Sequence, residues 1–297
     1  MPRSPRRFRV VPPEDGLRLG QLLARRLPEV DMARARAIVR AGGAYVGRTR
    51  VRMPDFRVQA GERVTVHLEA ADIEPLDPDR LVIRYEDEHL VVVDKPPGVP
   101  TVATRQAVRG TVAEALRRRL ERRGVARPYV GEVHRLDLEA SGLVMFAVRG
   151  AIQRSLYERF VSHAIVRIYR ALLDGDAPAA WTADAPLAPA RGGRTRAGAG
   201  GRPAVTHFVR LARRPVAGRP ATLVEATLET GRTHQIRAHA AAGGHPIVGD
   251  ARYGGPPSPE GRLHLHAVRL AFEHPVTGRP VEIDSPPPAW AVVDGRA

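Results

Sequence analysis

GEVHRLDLEASG occupies residues 131–142 and sets two opposite charges, Arg135 and Asp137, one residue apart. Read as extended chain, Val133, Arg135 and Asp137 share one face, and His134, Leu136 and Leu138 share the other. The apolar run Leu143–Val148 that follows reads as a strand. One acid beside one arginine has two readings. A surface ion pair is worth under about 1 kcal/mol, and the spacing alone favours it. The other reading is an ionised carboxylate nucleophile held near a cation.

Two further segments carry candidate chemistry. In ETGRTHQIRAHAAAGGHP, residues 229–246, a glycine turn leads into a helix start whose free N–H groups can hold an anion. Arg232, His234, Arg237 and His239 add donors there, and His234 and Arg237 stand one helical turn apart. A capped, solvated basic helix fits the same pattern. His234 and His239 are spaced i,i+5, which does not match a helical zinc pair. In VSHAIVRIYRALLDG, residues 161–175, strand alternation places Arg167 and Tyr169 on one face, and a core or rim tyrosine is the simpler reading of Tyr169. The chain has no P-loop, Rossmann fingerprint or G-x-S-x-G. Nothing points to a redox cofactor or to nucleotide hydrolysis.

Around these segments the pattern predicts strands at Leu81–Tyr85, Leu90–Val93, Ile165–Leu173, Val205–Leu211, Leu223–Leu228 and Leu263–Phe272. Helices are predicted after the Thr111/Glu114 capping box, around Ile152–Phe160 and over His234–Ala242. Residues 175–203, rich in Pro, Gly, Ala and Arg, read as mobile loop. Strands outnumber helices without alternating strictly with them, which argues for an α+β fold rather than a doubly wound sheet. Nearer the amino terminus, Leu19, Leu22, Leu23 and Leu27 mark one helix and Asp31 caps a second ending at Gly42-Gly43. Short strands follow at Ala44–Val46 and Arg63–Leu68.

The chain has 297 residues, of which 47 are Lys or Arg and 32 Asp or Glu, a formal charge of +15. Lys95 is the only lysine. A biased codon usage accounts for the choice of arginine but not for the excess of cations, which points to a polyanion such as nucleic acid. Residues 1–70 hold 15 arginines against 7 acids, whereas Glu69–Asp79 has five acids and no cation. That shift predicts a flexible basic arm at 1–15, a small α/β module at 16–68, a linker at 69–80 and a large domain at 81–297. Cysteine is absent, which excludes disulfides and thiolate chemistry. No apolar run approaches the roughly 20 residues of a membrane span, so a soluble cytoplasmic protein is expected.

Taken together the segments resemble the RluA-type family of RNA pseudouridine synthases. Its signature stands here as His134-Arg135-Leu136-Asp137 with Ser141-Gly142. The likeness extends to VVVDKPPGV at 91–99, Arg167-x-Tyr169-x-Ala171, the block from Glu229 to Gly254, and the tail at 266–288. The module at 16–68 resembles an S4 RNA-binding domain. Three positions depart from the family pattern: no histidine follows Gly98, Arg167 replaces the usual lysine, and Leu138-Glu139-Ala140 follows the aspartate.

The resemblance implies a mostly antiparallel mixed sheet in the catalytic domain and isomerisation of uridine in RNA, ribosomal RNA ahead of tRNA. It implies no cofactor and no metal; apart from the resemblance, no membrane partner and a monomer are expected. Asp137 is then the nucleophile, Tyr169 the aromatic that packs on the base, and Arg237 the cation that keeps the aspartate ionised. His134, Arg135, Arg167, Arg232, Thr233, His234 and Gln235 are expected to contact RNA. An enzyme that reacts at a stacked nucleotide must extrude it. Two other classes share parts of the pattern: an inactive RNA-binding or ribosome-assembly protein on this scaffold, and a glycoside hydrolase using Glu139 or Glu132 as second carboxylate.

Overall fold

The computed structural model describes residues 4–105 and 108–293. The first three residues of the expected arm and the last four of the expected large domain lie outside the described residues. The chain forms two units, Met1–Arg80 with Val102–Val125, and Leu81–Thr101 with Ala126–Ala297.

The first unit holds β1 (Arg6–Arg9), α1 (Leu19–Arg26), α2 (Met32–Arg40), β2 (Ala44–Val46), β3 (Thr49–Val51), β4 (Arg63–Val66) and α3 (Val112–Arg122). Its antiparallel sheet runs β1-β4-β2-β3. The four leucines at i, i+3, i+4 and i+8 are buried together with Ile38, Val39, Val64 and Val66. The Asp31 carboxylate caps α2 by accepting from the Arg34 N–H at 2.7 Å. Residues 6–14 are not a flexible arm. Arg6–Arg9 pairs with β4, and Glu14 is buried against Arg26, its Oε2 accepting from Nη2 at 2.9 Å. A run of arginines conceals this, because strand pairing uses the backbone whatever the side chains. α3 clusters with this unit, where the Arg119 and Arg122 guanidiniums reach Pro78 and Asp79.

The second unit holds β5 (Val82–Glu86), β6 (Leu90–Lys95), β7 (Gly131–Glu132), β8 (Ser141–Ala147), α4 (Gly150–Val161), β9 (Val166–Asp174), β10 (Ala180–Ala183), β11 (Leu187–Ala190), β12 (Arg194–Ala197), β13 (Thr206–Arg213), β14 (Ala221–Leu228), α5 (Gln235–Ala242), β15 (Leu265–Glu273) and β16 (Pro280–Asp284). One sheet runs β10-β13-β14-β9-β15-β8-β6-β5, with β16 on β15 and β7 on β8. The fold is α+β with a mostly antiparallel mixed sheet. Its one parallel pairing among the described residues, β8 with β15, falls on Ser141-Gly142 against His266-Ala267. Gly142 sits at φ +104°, and a Cβ there would lie 2.3 Å from the Ala267 carbonyl oxygen. The glycine of the signature is therefore what lets β15 close on the strand that leaves Asp137.

Residues 175–203 are not a mobile loop. They form β10, which pairs with β13, and the hairpin β11–β12. Composition misled here because Leu187, Ala197 and Ala204 pack with Ala238 and Tyr253, residues distant in sequence.

Candidate active site

Asp137 sits in the turn before β8, and backbone ties hold the turn on both sides of it. The Thr101 hydroxyl accepts from the Leu136 N–H at 3.2 Å and donates to the Leu136 carbonyl at 3.3 Å. Beyond Asp137, the Leu138 carbonyl accepts from the Gly98 N–H at 2.8 Å and from the Lys95 ammonium at 3.1 Å. Lys95 also donates to the carbonyls of Pro96 and Val99, at 3.0 and 2.8 Å. A compact ammonium with three donors suits a cage of three carbonyls, and a planar guanidinium does not. Burial pushes this lysine down to about 8, while the charges of Asp137 and Glu139 oppose the shift.

Arg237 enters from α5. Its Nε and Nη2 donate to the two oxygens of Asp250 at 2.7 and 2.8 Å, a fork that fixes the guanidinium plane. That leaves Nη1 to donate to Asp137 at 3.0 Å and to Glu139 at 3.3 Å. The Arg237 side chain is 3% exposed and that of Asp250 0%. Burial works against the charge of Arg237, but its bonds to Asp250 and its proximity to Asp137 outweigh this and raise its pKa. The Tyr253 ring lies 5.3 Å from the same guanidinium.

Asp137, Arg135, Tyr169, Arg232, His234, Gln235 and Arg237 line one open cleft with an empty volume of about 390 Å³. Tyr169 reaches it from β9. Burial pushes its phenol up to about 12, Arg167 opposing and Asp137 adding to the shift, so the hydroxyl stays protonated at neutral pH. His234 precedes α5 with φ +55°, outside the helix that the sequence begins there. Its Nδ1 meets the Tyr253 hydroxyl at 3.0 Å, and its Nε2 lies 3.8 Å from Asp137. Burial lowers its pKa, against the pull of Asp137. Gln235 is a latch: its Oε1 accepts from the Arg232 N–H and its Nε2 donates to the Val205 carbonyl, at 3.0 and 2.9 Å.

Three of the residues expected to contact RNA do not line the cleft. Thr233 is exposed beside it. His134 is buried, stacked on Phe160 at 5.2 Å, and its Nε2 accepts from the Met145 N–H at 3.2 Å. Burial and the nearby Arg167 push His134 down to about 3, so it is neutral. Arg167 is 2% exposed, with its guanidinium 4.6 Å from the Phe160 ring centre. His134 is thus buried whereas Arg135 and Asp137 line the cleft, and the two-face alternation expected of this segment does not hold throughout, since Val133 is buried and Leu138 is exposed. Sequence reasoning missed Asp250, Tyr253 and Lys95 as site residues. For Lys95 a signal existed, its standing as the sole lysine; for the other two the block 229–254 was the only pointer.

Among the described residues no group of three or more His, Asp or Glu could hold a metal ion. No helix among them is long and apolar enough to cross a membrane.

Residues 89–242 match the family model described as RNA pseudouridylate synthase. The chain is 34% identical to the ribosomal large subunit pseudouridine synthase D of Zymomonas mobilis, over 92% of this chain and 91% of that one. It is 32% identical to the Haemophilus influenzae protein of the same name, over 97% and 93% of the two chains. Among solved structures it is similar to human RNA pseudouridylate synthase domain containing 1, with a TM-score of 0.58, 29% identity, and coverage of 72% of this chain and 86% of that one.

Proposed function

The chain belongs to the RNA pseudouridylate synthase family, and from that premise we propose that it isomerises uridine in ribosomal RNA with Asp137 as nucleophile. The names of the curated relatives support ribosomal RNA as substrate. The observation that carries the role of Asp137 is its 3.0 Å bond to a buried arginine inside an open cleft. Arg237 presents its one remaining nitrogen to that carboxylate, because Asp250 occupies the other two.

In this reading the extruded uridine lies between Asp137 and the Tyr169 ring. The N1–C1′ bond breaks, the uracil turns, C5 bonds to C1′, and the C5 hydrogen leaves as a proton while N1 gains one. A protonated Tyr169 serves as a flat wall for the turning base. Arg135 and Arg232, at the mouth, meet the displaced strand. Residues 16–68 act as an S4-like RNA-binding module before the catalytic domain, and the protein works as a cytoplasmic monomer. An inactive scaffold would have no use for the Asp137–Arg237–Asp250 arrangement.

The test is tritium release from RNA labelled at uridine C5, with strand integrity followed in parallel. Wild type is expected to release tritium without cutting the strand. Asp137→Asn keeps the shape but is no nucleophile, so it is expected to bind RNA and release none. Turnover by this variant would overturn the assignment.

A further inference from the structure

We propose that His266 is a positioning residue for the isomerisation: its Nδ1 holds the Ser141 hydroxyl, and through it the exit of the turn that carries Asp137. The proposal rests on the isomerase reading and adds to it a residue outside the cleft.

The two sides of the turn are held differently. Around Asp137 the ties run to the backbone, from Thr101 to Leu136 and from Lys95 and Gly98 to the Leu138 carbonyl. At the exit the chain enters β8, where the parallel junction with β15 pairs Ser141 with His266 and Gly142 with Ala267. Parallel pairing is the weaker kind per residue. A side-chain bond falls on the same pair, the Ser141 hydroxyl meeting His266 Nδ1 at 2.8 Å.

His266 is 4% exposed and does not line the cleft, whereas its neighbour Leu265 does, as does Ala140 beside Ser141. Alternation along β15 turns the imidazole away from the substrate. Its contacts set which nitrogen carries the proton. Ser285 Oγ donates to the Asp94 carboxylate at 2.6 Å, so its oxygen is the acceptor for His266 Nε2–H at 2.9 Å. Arg84 fixes Asp94 in turn, its Nε and Nη2 donating at 3.0 and 2.8 Å. Nδ1 is left unprotonated, the acceptor that the Ser141 hydroxyl needs. Burial pushes the ring down to about 4, against the pull of Asp94 and with Arg84, Arg170 and Arg262 adding to the shift, so it is neutral. The chain Ser141–His266–Ser285–Asp94 thus donates in one direction. Its far end adjoins Lys95, which holds the Leu138 carbonyl, so both holds on the turn converge on β6.

The test separates the two ring nitrogens in the full-length protein. Asparagine places its amide oxygen where Nδ1 stands and can accept from Ser141, whereas glutamine places its amide nitrogen where Nε2 stands and keeps only the bond to Ser285. Tritium release at saturating protein, affinity for a large-subunit ribosomal RNA transcript labelled at uridine C5, and backbone hydrogen exchange are measured for each variant. His266→Gln and Ser141→Ala are expected to slow release at least about 10-fold, because a small misplacement of a reacting group is costly. Their RNA affinity is expected to stay within about 2-fold of wild type. Exchange over residues 138–142 is expected to quicken in both, and exchange in β13 and β14 to stay unchanged. His266→Asn is expected to keep a rate within about 3-fold of wild type. Equal losses in the asparagine and glutamine variants would overturn the proposal, since the imidazole would then only fill space. So would a wild-type rate in Ser141→Ala, or exchange that quickens as much in β13 and β14 as in the turn. Wild-type protein that binds RNA but releases no tritium would defeat the isomerase reading, while the exchange pattern would still decide whether His266 holds the turn.

Discussion

At Arg237 one guanidinium meets three carboxylates, and their division of its donors is what shapes the site. Asp250 takes the fork and lies fully buried, so Arg237→Ala would strand a buried charge as well as release Asp137. Removing one member of such a pair typically costs about 3–5 kcal/mol. Urea unfolding of Arg237→Ala is expected to show a loss of that size together with lost tritium release. Lys95 is the second such residue. Its folded pKa, about 8, lies below its ordinary 10.5, so between those values the unfolded chain holds a proton that the folded chain has released. Stability therefore rises with pH across that window, and the cost of the buried charge is present in full below it. Relative to Lys95→Met, wild type is expected to gain about 3 kcal/mol between pH 7.5 and pH 10.5, read from urea midpoints at the two pH values. A difference that does not change with pH would mean that the ammonium is not desolvated.

Among the elements, β8 explains why the signature ends in Ser-Gly. Its first two residues form the parallel contact with β15, and the Ser141 hydroxyl meets His266 Nδ1 at 2.8 Å. An alanine at 142 would need φ +104° and would press its methyl into the Ala267 carbonyl. Gly142→Ala is expected to lose more than about 2 kcal/mol of stability, with an unchanged urea m-value if the denatured state is unaffected. A variant as stable as wild type would show that β15 can shift without cost. α5 makes a complementary point. Its 3.6-residue pattern was readable, but the helix starts one residue later than the pattern implies, because His234 turns left-handed to meet Tyr253.

Across the whole molecule, buried histidines couple folding to pH. His134 titrates at about 3 in the fold against an ordinary 6.5, because burial and Arg167 disfavour its charged form. The unfolded chain binds that proton first, so the contribution is complete above pH 6.5 and is lost as pH falls towards 3. By pH 4.5 the loss from His134 alone is about 3 kcal/mol. His134→Gln is therefore expected to show a stability–pH curve flatter by that amount between pH 6.5 and 4.5, measured by urea unfolding. Equal slopes in the two proteins would place His134 in contact with solvent.

The resemblance to the family, and not local pattern, singled out Asp137 and Arg237; local pattern was enough for most of the element types, the α+β class and the demand for a polyanion. Those follow from side-chain periodicity and charge, which are properties of neighbours along the chain. The pairing of Asp137 with Arg237 spans 100 residues, and Asp250 reaches the same guanidinium from a turn with no periodic signal. Ordered structure at 6–14 and at 180–197 was likewise invisible, since β1, β10 and the β11–β12 hairpin are held by backbone partners and by apolar contacts from distant segments. Which side chains of the motif meet the cleft was decided by packing. His134 and Arg167 are polar in sequence, yet both lie against Phe160 in the interior, because a side chain's burial depends on what the rest of the fold places over it.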